Sequence, residues 1–187
     1  GRRACYIHEA PHMSLGHSHH HDTHGELTKR AAIASVSMAL FLLALKVFAA
    51  AETGSVALLG SLADTGFDVL ASLLTLFSVR YAAMPADDDH RFGHGKAEAL
   101  SALVQVVLVI LSAILISWRA IVRLGTQEPT SHPEYGIGVS LIAIVATVGL
   151  LAYQRYVVRK TGSVAIQADH VHYQSDLLLN VAVIVAI

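Results

Sequence analysis

Two carboxylates inside an apolar helical run constrain this chain more than any other feature. Asp64 and Asp68 lie in Leu58–Val79, within Gly60-Ser61-Leu62-Ala63-Asp64-Thr65-Gly66-Phe67-Asp68-Val69-Leu70. Residues four apart on an α-helix stand one turn above each other on the same face. A carboxylate in hydrocarbon either takes up a proton or needs a cation, and two side by side also repel. A single lysine, Lys46, falls within the apolar spans, and one ammonium does not neutralise two acids. A divalent cation held between them for part of the time is the simplest resolution.

The run is a membrane span because it has company. Ala31–Ala51, Ala99–Trp118 and Tyr135–Tyr153 are apolar stretches of similar length, and Leu177–Ile187 begins another. Charged residues make up 14% of the 187, against roughly 25% expected of a soluble domain. The formal net charge of −1 gives no electrostatic case for nucleic acid. One cysteine, Cys5, leaves no intrachain disulfide and no multi-cysteine zinc site.

Seven of the twelve histidines fall in the first 24 residues. Gly1–Arg30 reads as a polar, irregular, flexible tail whose His-rich tract, Gly16 to Gly25, binds metal weakly. Met13 is a plausible true start, and Arg2-Arg3 lacks the apolar segment of an export signal. The chain stops inside a hydrophobic run, as a truncated sequence would. Lys46 sits near the end of its span and is read as snorkelling to the interface. His132 and His170 are read as ordinary surface or interfacial residues.

Orientation follows from the cations of the short flanks. Arg2, Arg3, Lys29, Arg30, Arg80, Arg91, Lys96, Arg155, Arg159 and Lys160 fall on one side, and Arg119 and Arg123 on the other. The positive-inside rule therefore makes the amino terminus cytoplasmic, with the loop from Met84 to Lys96 on the same side.

His172 and Asp176 repeat the four-residue spacing on the way into the fifth apolar segment. Asp64, Asp68, His172 and Asp176 together offer three carboxylates and an imidazole. Such a set suits tetrahedral Zn²⁺, and also Fe²⁺, Mn²⁺ or Cd²⁺; without Cys or Met beside it, Cu⁺ is disfavoured. Four protein ligands leave no position for an activated water, and no His-Glu-x-x-His motif occurs, so the expectation is a protein that is not an enzyme. The same donors bind protons near neutral pH, so metal and proton compete for them. In the cytoplasmic loop, Asp87, Asp88 and Asp89 precede His90 and His94, a second group of metal-binding residue types whose three acids spacing alone does not separate.

Leu62–Asp68, Asp87-Asp88-Asp89-His90-Arg91-Phe92-Gly93-His94-Gly95-Lys96-Ala97-Glu98 and His172-Tyr173-Gln174-Ser175-Asp176 together closely resemble the cation diffusion facilitators, nearest to their bacterial zinc/iron efflux branch. The resemblance runs from about Lys29 to the end. It implies an all-α membrane protein with a cation diffusion facilitator transmembrane helix bundle, of which about five of six helices are present over residues 31–187. The sixth helix and a cytoplasmic ferredoxin-like domain are then absent from this chain. The implied activity is efflux of a divalent metal cation, Zn²⁺ foremost, in exchange for protons, by a homodimer in the inner (cell) membrane. The implied transport site is Asp64, Asp68, His172 and Asp176, with a loop site on Asp87, His90 and His94. Lys96 matches a lysine that pairs with a carboxylate of the cytoplasmic domain. The alternative reading is a membrane-bound metal sensor or buffer, in which the same ligands hold metal without moving it.

Overall fold

A computed structural model describes residues 18–53, 56–86, 91, 93–125 and 133–186. Five helices account for nearly all of them: α1 (Ser18–Thr53), α2 (Val56–Ala82), α3 (Lys96–Gly125), α4 (Pro133–Thr161) and α5 (Val164–Ala186). The described residues contain no strand. The shortest helix, α5, has 23 residues, about 35 Å at 1.5 Å per residue, which is enough to cross the hydrocarbon layer. By length and apolarity alone, segments of α1, α3 and α4 qualify as membrane spans among the described residues: Thr23–Glu52, Lys96–Trp118 and Ile137–Thr161.

The packing is that of a membrane bundle. Large apolar side chains point outward, among them Leu70 and Phe77 on α2, Leu103 and Ile110 on α3, and Leu178 on α5. Small and hydroxyl-bearing residues point inward, including Ser35, Thr65, Ser72, Thr75 and Thr147. Lipid supplies no hydrophobic force between helices, so close approach over small residues and hydrogen bonding take its place. α1 packs on α2 and α4, α5 packs on α4 and α3, and α2 meets both α3 and α5. The inward faces of α1, α2, α4 and α5 thus converge, with α3 closing the gap between α2 and α5.

Two boundaries differ from the sequence reading. α1 begins at Ser18, so the second part of the segment read as irregular is helical. From Thr23 on it is supported locally: Glu26 pairs with Lys29 at 3.4 Å and with Arg30 at 3.9 Å, and Thr28 Oγ1 donates to the His24 carbonyl. Helix propensity and i,i+4 pairing extend a span beyond the apolar stretch that hydropathy detects. α5 likewise begins at Val164, thirteen residues before the apolar run at Leu177, which puts Asp169 and His172 inside the helix.

The α4–α5 connection sets that start. Gly162 adopts φ +67° and its N–H bonds to the Val158 carbonyl at 2.8 Å, a left-handed stop for α4. Ser163 then caps α5, accepting from Ile166 N–H on its side chain at 3.4 Å. Its hydroxyl also donates to Glu98 Oε2 at 2.7 Å, which fastens this turn to the start of α3. Replacing Gly162 with alanine forces an L-residue into the left-handed region and should destabilise the bundle by about 1 kcal/mol. Thermal unfolding of Gly162→Ala in detergent checks this, and an unchanged midpoint contradicts the assigned role of the turn.

Candidate metal site

Three side chains able to bind a metal meet on the facing sides of α2 and α5. Asp68 stands in the middle of α2, and His172 and Asp176 stand one turn apart on α5. One ligand atom from each of these three residues lies within 4.8 Å of the other two. His172 Nε2 is 3.2 Å from Asp68 Oδ1 and 3.7 Å from Asp176 Oδ2. It is aligned for a hydrogen bond with neither oxygen, so the imidazole nitrogen faces the space the two carboxylates share. His172 is buried, while the Asp68 and Asp176 side chains keep 16% and 25% of their surface accessible.

Chemically, this is a compact mixed N/O donor set of the type that Zn²⁺ and neighbouring divalent cations accept. Two ionised carboxylates this close repel, and low dielectric strengthens the repulsion. A cation or protons remove it. While both carboxylates are ionised and the imidazole is neutral, the helix pair is under an electrostatic tension that a cation or a proton releases.

Asp64 stands outside this cluster. It lies four residues before Asp68 on α2, about 6 Å of helix rise away, and the donor cluster takes in Asp68 without it. Next to it, Thr65 accepts a hydrogen bond from Lys46 Nζ. Lys46 was expected to snorkel to the interface; instead its ammonium crosses from α1 to the buried face of α2 and places positive charge beside the carboxylate pair. A lysine stem is long enough to snorkel inward as well as outward, and periodicity does not distinguish the two.

In the loop, Asp87, Asp88, Asp89 and His90 lie outside the described residues, as does His132. His94 is buried, with its ring edge-on to Tyr81 at 4.5 Å. Lys96 is the first residue of α3. His170 is half-buried on α5.

The sequence reading missed a set of uncharged polar residues and one acid. Ser72 and Thr75 continue the Asp68 face of α2 at the fourth and seventh residues, and Asp169 precedes His172 by three on α5. They join Ser35, Gln105, Gln154 and Tyr173 in one buried network. Hydroxyls and amides at helical spacing from the acids were the available signal, but hydropathy counts charges and overlooks them.

A bundle of apolar helices that buries a carboxylate–imidazole cluster is the framework of a membrane protein that handles cations within the bilayer. The chain belongs to the cation diffusion facilitator family, as residues 32–187 match the Cation efflux transmembrane domain. It is 48% identical over 165 residues to the Cation-efflux pump FieF of Salmonella arizonae, covering 88% of this chain and 55% of that protein. It is 50% identical over the same length to the Cation-efflux pump FieF of Citrobacter koseri, again with 88% and 55% covered. The chain thus spans about half the length of these curated relatives.

Removing one of three clustered ligands should weaken cation binding at least tenfold, since the remaining pair neither satisfies the ion nor shields the other carboxylate. Equilibrium Zn²⁺ binding to Asp68→Ala and Asp176→Ala in the intact protein measures it. Wild-type affinity in either variant would remove that residue from the site.

Proposed function

We propose that this chain forms the membrane part of an exporter that moves a divalent transition-metal cation, Zn²⁺ foremost, out of the cytoplasm in exchange for protons. The observation that carries the reading is the convergence of Asp68, His172 and Asp176 between α2 and α5, inside a bundle of the cation efflux family. In this account the cation is cargo. His172 gives up a lone pair, Asp68 and Asp176 give oxygens, and Asp64 is drawn in by the cation's charge as the fourth ligand. Lys46 offsets the carboxylates when the cation has left.

Proton coupling follows from the donors themselves. A protonated imidazole has no lone pair for a metal, and a protonated carboxylate loses most of its attraction for one. Metal binding on the cytoplasmic side displaces protons, and protons arriving from the other side displace metal. Alternating access of the helices around a fixed midplane site then couples the two flows. The names of the relatives, all efflux pumps, favour movement over mere storage of metal.

The same proposal assigns the amino terminus and the loop of Asp87, His90 and His94 to the cytoplasm, with the loop as a second metal site. It assigns the His-rich tail of residues 1–30 to raising the local metal concentration, and a homodimer in the inner membrane as the working assembly. The transport reaction itself is not enzymatic.

Protein reconstituted in vesicles tests the reading. Zn²⁺ movement should run opposite to an imposed proton gradient, and collapse of the gradient should slow it severalfold. His172→Ala, which removes one of the donors that bind either metal or proton, should flatten the pH dependence. Zn²⁺ flux indifferent to the gradient would remove proton exchange; saturable binding with no flux would turn the reading to a buffer.

A further inference from the structure

Below the metal cluster, toward the end of the bundle that carries Arg80 and Lys160, the helix interior changes character twice. The first layer is polar. Gln154 Nε2 donates to Asp169 Oδ2 at 2.7 Å and to Ser35 Oγ at 3.0 Å. Thr75 Oγ1 lies 3.5 Å from Asp169 Oδ1 and accepts from Gln105 Nε2. Tyr173 OH donates to the Ser35 carbonyl at 2.9 Å and shares a 3.0 Å hydrogen bond with Ser72. Five helices contribute to this layer, and Asp169, Gln154 and Thr75 are wholly buried in it.

The second layer is an apolar collar of Ala31, Ala32, Val79, Val157, Ala165 and Ile166, packed together with almost no exposed surface. Beyond the collar a recess of about 1140 Å³ opens between the helix ends, bordered by Thr28, Glu98 and Ser163 among others. The order is the same on three helices. Thr28, Ala31 and Ser35 follow one another along α1; Val79, Thr75 and Asp68 along α2; Ser163, Ile166, Asp169 and His172 along α5. Recess, collar, polar layer and metal cluster are thus successive levels along the bundle.

The polar layer is not saturated. Gln105 Oε1 and Gln154 Oε1 are buried and find no hydrogen-bond partner among the described residues. A layer that served only to tie helices together would satisfy its acceptors or be apolar, since a half-satisfied buried network is inferior to either. Two unclaimed amide oxygens, on the side chains whose amide nitrogens reach Asp169 and Thr75, are of the type that replaces water around a hard or borderline cation. A passing ion must be held firmly enough to enter and weakly enough to leave. One carboxylate with neutral oxygens meets that need beside a cluster that has two carboxylates and an imidazole.

We propose that Asp169, with Gln105, Gln154 and Thr75, forms an oxygen-only transit site that a divalent cation occupies between the collar and the Asp68–His172–Asp176 cluster. This rests on the exporter reading above, which supplies the direction of travel. Asp169 is the charged member, and the amides and hydroxyl take the place of hydration water. An ion crossing the collar reaches the transit site first and passes inward by about one helical turn.

The test uses the intact protein, with Zn²⁺ as the probe, measuring equilibrium binding in detergent and initial flux into vesicles at limiting Zn²⁺. Asp169→Asn keeps an acceptor for Gln154 and removes the charge, while the other carboxylate oxygen becomes an NH2 that faces Thr75 Oγ1. Its flux should fall at least tenfold with the equilibrium affinity within threefold of wild type, because a way station changes rates without changing the end states. Asp169→Glu, which restores the charge, should recover much of the flux. Wild-type flux in Asp169→Asn overturns the transit site, and so does a matching loss of affinity, which would mark a purely structural carboxylate. Should Asp169→Asn fail to fold, Gln154→Met decides: flux down at least threefold with affinity retained supports the site, and wild-type flux overturns it. Failure of the exporter reading looks different, as wild-type protein without flux or Asp68→Ala with full flux.

Discussion

Two carboxylates and an imidazole held within 4.8 Å of one another, in helices that face lipid on their other sides, set the terms for everything else in this bundle. Like charges at that range in low dielectric repel strongly, and hydrocarbon gives no solvent to screen them. The surrounding helices must hold the groups together against that force. They do so with close packing over small residues, with Lys46 reaching in from α1, and with the two-residue α4–α5 turn that fixes where α5 starts. A cation relieves the repulsion, so the same contacts that make the empty cluster costly make it a good site.

The bundle's interior is graded. At the cluster, charge dominates; one turn toward the Arg80 end, neutral oxygens and a single carboxylate; beyond that, small apolar side chains in close contact. In the proposed function each level serves a different stage of handling a hydrated ion: exclusion, partial dehydration and full coordination. On the proposed reading, movement consists of opening one boundary of this series while the other closes. α3 contributes Gln105 to the series, with Ser101 buried one turn before it.

Much of this was legible in the sequence, and what was missed has a physical reason. Asp64, Asp68, His172 and Asp176 stand out because charge in an apolar run is rare, and their four-residue spacing names the helix face. The helical, membrane-embedded fold follows from the apolar runs, and the motif resemblance to the cation diffusion facilitators agrees with the family match. Which of the four acids and bases meet was not legible, because it depends on the relative heights of α2 and α5; Asp68 meets His172 while Asp64 stands apart from the cluster. The inward turn of Lys46 was equally hidden, since a long stem reaches either way. Asp169 escaped notice because it precedes the apolar run, and only the early start of α5 at Val164 carries it into the interior.

X-ray absorption at the zinc edge of the intact protein, loaded with one equivalent of Zn²⁺, addresses the central claim most directly. The account predicts a shell of oxygens with one imidazole nitrogen at about 2.0–2.2 Å and no sulfur. It further predicts that His172→Gln removes the imidazole signature from that shell. A shell of several imidazoles, or one that His172→Gln leaves unchanged, would place the metal in the His-rich amino-terminal region or the loop of His90 and His94 and contradict the assignment to α2 and α5.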